Sequence, residues 1–389
     1  MFYYDPNLSS VESIDHYHAG GYHPVHLGDI FNEKYKIVGK ISHGVYSTVW
    51  LAQNQREYVS PPAKCPLSNQ EVVLKIIQAA ESDLTPEREI LDFLNGVRGK
   101  HPGHKHVVNL LDHFYHEGAN GTHLCLVLPV MAGELQRLYV DGKRRLRARE
   151  LRRLAKELLQ GVDFLHERGV VHCDLHAGNI MLRRTGTINY HDMLKPVVTV
   201  PVTWDKEATE DEAKTAPRYL VRSQVSSLRL TKKEFEDVHV VIGDLGAAQW
   251  SHECGDLPIT PLPLRAPEVI RWGGCPRAFD TKADIWTLGC LVRALSSIFK
   301  LATGKILFPV DRKEDMKADE SQLALIEQRV GSQGRETFAK YLATQLPRDF
   351  GEENAKLLAE FLLLMLQINP QKRRSAVSLQ RTRFIRNED

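Results

Sequence analysis

The stretch His172–Ile180 reads "HCDLHAGNI", and its reading decides the fold. An aspartate at 174 with an asparagine five residues later suits a loop that handles phosphoryl groups. Asp174 would accept or orient the proton of an attacking hydroxyl, and Asn179 would bind a metal ion. A histidine, an aspartate and an asparagine this close also occur in ordinary turns, so the rest of the chain has to supply the partners.

Downstream, "GDLGAA" follows the β-rich run "VHVVI" and places Asp244 at a strand end, where a carboxylate can chelate a metal that bridges phosphates. Upstream, "ISHGVYSTVW" (Ile41–Trp50) reads as a turn between two strands. Its residues Ile41, Ser42, His43, Gly44, Val45, Tyr46, Ser47, Thr48 and Val49 can lay backbone N–H groups over a triphosphate. Of the three glycines such a loop usually carries, only Gly44 is present; Ser42 and Ser47 stand at the other two positions. Lys75 in "VVLKI" lies on a third strand and can hold the α and β phosphates. Glu89 in "EREIL" is chosen as the carboxylate that fixes Lys75, because it stands beside Ile90 and Leu91; Glu87 competes for that role. One lysine, two metal-ligating residues and one base candidate are what phosphoryl transfer asks of a protein.

The organisation around these motifs is two-part. The Gly-, His- and Tyr-rich residues 1–32 read as an arm, residues 33–131 as a small β-rich front and residues 132–389 as a helical rear. In the front, "KYKIVGKI", "YSTVWLAQ", "QEVVLKIIQ" and "HLCLVLPVM" are predicted strands, and "TPEREILDFLNGV" carries helix-start signals at Thr85 and Pro86. In the rear, Leu151, Leu154, Leu158, Val162 and Leu165 form one stripe of a long amphipathic helix. "TKADIWTLGCLVRALSSIF" and "ENAKLLAEFLLLMLQI" are further helices. The polar segment 184–236 reads as an insertion within the rear part. The fold class expected is α+β.

Composition excludes several alternatives. A net charge of +2 implies no global polyanion-binding surface, and the basic cluster between Lys143 and Arg153 reads as a solvated helix face, so no direct nucleic-acid partner is expected. The opening residues carry no signal-peptide pattern, and the most apolar run, Leu362–Ile368, is too short to span a bilayer. Six scattered cysteines without a CxxC pair favour free thiols in a reducing compartment, hence cytoplasm or nucleus.

Taken in order, these motifs resemble a eukaryotic protein kinase, most of all the serine/arginine-rich (SR) protein kinase family. The kinase signature runs from about Tyr35 to Ile385. The family-level likeness rests on "GGYHPVHLGDIFNEKYKIV", "STVWLA", "GDLGAAQW" and "LATGKILFPV", and on an insert that separates Asn179 from Asp244 by 65 positions. The resemblance implies a bilobal kinase fold with ATP and Mg2+ as cofactors, a monomer, and protein substrates that include Arg/Ser-rich ones. It implies Leu128 as gatekeeper, Pro129 offering a carbonyl and Met131 an N–H to adenine. It further implies a buried Glu268–Arg373 pair, and Asp284 as anchor of the catalytic loop.

"HxDLHxGN" also resembles small-molecule phosphotransferases. "RAPEV", "ADIWTLGC" and "NPQKRR" in the rear part are protein-kinase features and decide against that reading. Other departures remain. His176 stands where Ser/Thr kinases carry a lysine, and Cys173 where many carry an arginine that reads a phosphorylated loop. Pro261 and Leu264 replace a threonine and an aromatic, with Thr260 one position off. Glu320 and Glu327 stand one residue before the family's acidic positions, here Ser321 and Gln328. Of these, His176 together with the thinned Gly-rich loop favours the alternative: a pseudokinase-type nucleotide-binding regulator that acts by protein–protein contact.

Overall fold

The computed structural model describes residues 11–55, 71–97, 99–141, 146–184, 196–202, 214–224, 229–253, 260–271, 280–290, 303, 307–309 and 317–387. The proline-rich connection 56–70, most of "LATGKILFPV", the second half of the "TKADIW" helix and the start of the acidic stretch at 311 lie outside them. The chain forms two compact units, the first made of residues 1–95, 109–130 and 187–226 and the second of residues 96–108, 131–186 and 227–389.

The first unit is built on a six-stranded antiparallel sheet of β1 (Ile30–Phe31), β2 (Tyr35–His43), β3 (Ser47–Asn54), β4 (Glu71–Ile77), β5 (Asp112–Gly118) and β6 (Gly121–Pro129), in the order β1-β2-β3-β4-β6-β5. Alternate side chains of these strands converge on one face: Ile37, Trp50, Ala52, Leu74 and Val127 pack into a core with Phe31 and Tyr35. Burying side chains of this size contributes about 1.5–3 kcal/mol each. Helix α1 (Glu87–Gly96) buries Glu87, Ile90, Leu91 and Leu94, a 3–1–3 spacing that defines one helical face. Thr85 Oγ1 accepts the Glu87 N–H at its start.

The insertion departs from expectation in part. Residues 196–202 and 214–224 belong to the first unit, whereas the sequence places the whole segment in the rear part; Arg184 and residues 229–236 do lie in the second unit. Strands Thr199–Pro201 and Tyr219–Val221 pair antiparallel. Val200, Val202 and Leu220 pack on Val11, Ile14, Tyr17 and Tyr22 of the N-terminal segment. The Tyr219 hydroxyl accepts the Leu27 N–H at 3.0 Å. Burial of this apolar surface is the physical reason that a stretch read as polar is ordered here.

In the second unit, β7 (Gly133–Glu134), β8 (Ile180–Arg184) and β9 (Val238–Ile242) form a sheet in the order β9-β8-β7. Helix α2 (Ala148–Glu167) buries the whole stripe Leu151, Leu154, Leu158, Val162 and Leu165 at 1% exposure or less. Gly103 and Gly161 let the turn Pro102–His106 approach α2. A Cβ on Gly103 would fall 1.8 Å from the Gln160 carbonyl oxygen, and one on Gly161 2.8 Å from that of His106. The helices α3 (Thr281–Cys290), α4 (Ala318–Val330), α5 (Ser332–Gln345) and α6 (Glu352–Met365) follow. No helix among the described residues is long and apolar enough to cross a membrane.

Candidate active site

In the first unit, Lys75 lies in register with Val49 on β3 and Leu126 on β6, and is 9% exposed. Its ammonium meets Glu87, with Nζ 2.9 Å from Oε1 and 2.6 Å from Oε2. Glu89, the residue chosen from sequence, is exposed, so that assignment is corrected to Glu87. The helical period could have settled the choice, because Glu87 continues the stripe 90, 91, 94 backward by one turn and Glu89 does not.

The turn between β2 and β3 closes with the Gly44 N–H on the Ser47 carbonyl at 2.9 Å. Ser42 pairs with Val49 and His43 with Thr48, and two register shifts twist β2 ahead of the turn, between Ile37 and Gly39 and between Lys40 and Ser42. Val45 and Tyr46 at the tip are 67% and 51% exposed. A Cβ on Gly44 would meet only Ser47 Oγ, at 4.0 Å. The fold therefore leaves open space at this glycine, as a backbone that approaches a phosphate needs. On β6, Leu128 and Pro129 pair with Val73 and Val72 and are half-buried; Ile41 on β2 is also half-buried, as is Met131, which belongs to the second unit.

In the second unit, the loop His172–Asn179 is held from below. Asp284, on α3 and 2% exposed, accepts the His172 N–H at 2.8 Å and the Cys173 N–H at 3.0 Å, and pairs with His166 Nε2 at 2.8 Å. Those bonds hold Cys173 at φ 64°, a left-handed conformation that non-glycine residues rarely adopt. Fully buried His172 bonds through Nε2 to the Gly243 carbonyl at 3.0 Å and accepts the Asp174 N–H on Nδ1 at 3.3 Å. The Thr260 hydroxyl donates to the Cys173 carbonyl, so the threonine one position off the family pattern still reaches the catalytic loop.

Asn179 donates from Nδ2 to the Asp174 carbonyl at 3.0 Å and to Asp174 Oδ2 at 3.3 Å. Asp174 Oδ1 is buried and has no hydrogen-bond partner. The β8–β9 ladder ends with Ile180 opposite Ile242, and the Gly243 N–H reaches the Asn179 carbonyl at 2.8 Å. That ladder brings Asn179 and exposed Asp244, itself at φ 54°, to the same strand end. His176 Nε2 lies 3.4 Å from Asp174 Oδ2, and its Nδ1 accepts the Gly178 N–H at 3.0 Å. Burial pushes the His176 imidazole down, but the hydrogen bond and charge of Asp174, with Asp244 and Glu134 beyond, outweigh it and raise its pKa.

The donor set fits a magnesium ion. One carboxylate and one amide oxygen leave the remaining positions to phosphate and water, as Mg2+ prefers. Among the described residues no group of three His, Cys, Asp or Glu forms a dedicated metal cage. Elsewhere in the unit, Glu268 and Arg373 form a buried bidentate pair at 2.7 and 3.0 Å. Glu320 and Glu327 are both exposed on α4.

A lysine–carboxylate pair, an anchored Asp–Asn loop and a second aspartate at a strand end are the parts of a phosphotransferase. The protein kinase domain family matches residues 35–193 and 231–385, and the chain belongs to it. The break in the match, residues 194–230, falls within the insertion.

Within that family the chain is SR-protein-kinase-like. It is 28% identical over 402 residues to Serine/threonine-protein kinase SRPK of Physarum polycephalum, covering 95% of this chain and 89% of that protein. It is 25% identical over 485 residues to Protein kinase dsk1 of Schizosaccharomyces pombe, covering 96% and 85%. With SRSF protein kinase 3 of Homo sapiens it shares 31% identity over 172 residues, which is 43% of this chain and 28% of that one. The chain is a protein serine/threonine kinase.

Proposed function

We propose that this kinase transfers the γ-phosphate of ATP to serine and threonine hydroxyls of protein substrates, Arg/Ser-rich proteins among them, in the cytoplasm or nucleus. Lys75, fixed by Glu87, takes the α and β phosphates, and the loop Ile41–Val49 covers them. Leu128, Pro129 and Met131 receive the adenine. Asn179 and Asp244 hold magnesium, which neutralises charge on the transferring phosphoryl when bound. Asp174 orients the substrate hydroxyl and takes its proton, and His176 donates a hydrogen bond beside it.

One observation carries this reading. His172 and the backbone of Cys173 are spent on the fold, while buried Asp174 Oδ1 has no hydrogen-bond partner. Leaving such an oxygen unbonded costs about 1–3 kcal/mol, which a substrate hydroxyl would recover. The free thiols Cys125, Cys173 and Cys290 suit a reducing compartment. The exposed carboxylates Glu320 and Glu327 support arginine-rich substrates.

The test is transfer of labelled γ-phosphate from Mg-ATP to an Arg-Ser repeat peptide and to a generic basic protein, with Asp244→Asn as control. Transfer by the wild type alone, with preference for the repeat peptide, is the expected result. Equal rates on both acceptors would remove the Arg/Ser preference, and no transfer to either would remove the activity.

A further inference from the structure

A phosphate-covering loop with two of three glycines replaced by serine needs its tip held by something else. The carbonyls at that tip are all engaged from behind, within the first unit. The Tyr22 hydroxyl donates to the Gly44 carbonyl and lies 3.3 Å from that of Val45. Gln78, one residue past β4, donates its side-chain amide to the Val45 carbonyl at 3.1 Å and its backbone N–H to that of Tyr46 at 2.9 Å. With the carbonyls held on that side, the peptide planes of the tip cannot rotate freely, and the N–H groups keep the opposite direction.

Tyr22 is itself packed on all sides that the structure describes. It is 1% exposed, with its ring against Tyr17 at 5.6 Å and His16 at 5.0 Å between centroids. Its backbone carbonyl accepts from Asn120 Nδ2 at 2.6 Å. Behind it, buried Glu12 forms an ion pair with fully buried Lys40 of β2 and accepts the Tyr17 hydroxyl at 2.5 Å. Burial and the Glu12 charge push the Tyr22 phenol up to about 12, so it stays a donor at any physiological pH.

We propose that Tyr22, seconded by Gln78, is a positioning residue for nucleotide binding that fixes the tip of the glycine-poor loop through its carbonyl oxygens. The N-terminal segment thus does for this loop what the missing glycines do elsewhere: it sets where the backbone N–H groups stand. This inference rests on the kinase reading of that loop.

The experiment compares full-length wild type with Tyr22→Phe, which keeps the ring and removes only the hydroxyl. Two readouts are taken: deuterium exchange of the amides at Val45–Ser47, whose peptide planes carry the held carbonyls, and steady-state kinetics with separate KM values for ATP and peptide. Loss of one hydrogen bond of ordinary strength corresponds to about a tenfold effect. Loop exchange should quicken by about that factor, and KM for ATP should rise to match. The peptide KM and the thermal midpoint should stay near wild type, with kcat changing less than KM for ATP. Unchanged loop exchange and unchanged KM for ATP would overturn the proposal. If Tyr22→Phe fails to fold, Gln78→Met at its half-buried site carries the same two readouts. If the wild type transfers no phosphate, the functional reading fails by itself, and loop exchange still decides the role of Tyr22.

Discussion

Glu87, and not Glu89, closes the ion pair with Lys75: both carboxylate oxygens lie within 2.9 Å of the ammonium. An exposed pair contributes at most about 1 kcal/mol, but breaking a buried one by removing a partner costs about 3–5 kcal/mol. We expect Glu87→Gln to lower kcat/KM for ATP about a hundredfold, equivalent to ~2.7 kcal/mol, and Glu89→Ala to leave it unaltered. Steady-state kinetics on the two variants decides between the carboxylates. A loss at Glu89 with none at Glu87 would contradict the geometry.

Asp284 carries two backbone N–H groups of the catalytic loop. Asp284→Ala strands both, costing about 2–4 kcal/mol of stability, and frees Cys173 from its left-handed conformation. Asp280→Ala removes the hydrogen bond from the Lys282 N–H at 2.7 Å and a charge near the Lys282 ammonium, and should cost about 1 kcal/mol. Thermal melts should therefore rank Asp284→Ala well below Asp280→Ala, with phosphoryl transfer lost only in the former.

At the reacting centre, Asp174→Asn should lower single-turnover transfer by about 10²–10⁴-fold, the range for a positioned general base. His176→Ala should cost about thirtyfold, or ~2 kcal/mol, because only a hydrogen bond and a partial charge are lost. Equal rates for His176→Ala and wild type would remove His176 from the transferring group's surroundings.

A cluster of His23, His116 and His123 makes the first unit acid-sensitive. The rings lie 4.6 and 5.0 Å from His23, and burial first, then the neighbouring imidazoles, pull His23 down to about 3. The folded state therefore refuses a proton that the unfolded chain accepts below its ordinary value of 6.5. Stability is full above that value and falls as pH drops from 6.5 toward 3, by about 1.4 kcal/mol per pH unit for this one group. Denaturant midpoints measured from pH 7 to 4.5 should fall, and fall less steeply in His23→Leu. Parallel curves for the two proteins would exonerate the cluster.

Much of this was legible in the sequence. The α2 stripe is a 3.6-residue period, and Asp174, Asn179 and Asp244 mark themselves by spacing on a strand–loop–strand frame. Glu89 has apolar neighbours in sequence, but the helical period, which 87, 90, 91 and 94 obey, decides which carboxylate faces Lys75. The insertion's place had no such signal. Its contact from Tyr219 to Leu27 spans 192 positions, and tertiary burial of that kind leaves no local pattern. Nor does the Glu12–Lys40 pair, since charges on a segment without periodicity read as solvated.

Cys173 sits one residue from the proposed base, an address that invites covalent inhibitor design. The molecule declines the invitation. The thiol is 5% exposed, its sulfur donates to the Val171 carbonyl at 3.6 Å, and burial with the Asp284 and Asp174 charges drives its pKa upward, away from the nucleophilic thiolate. An electrophilic warhead aimed at this loop would have to wait for it to unfold, and adduct formation at Cys173 would then report opening of the loop and not occupancy of the site.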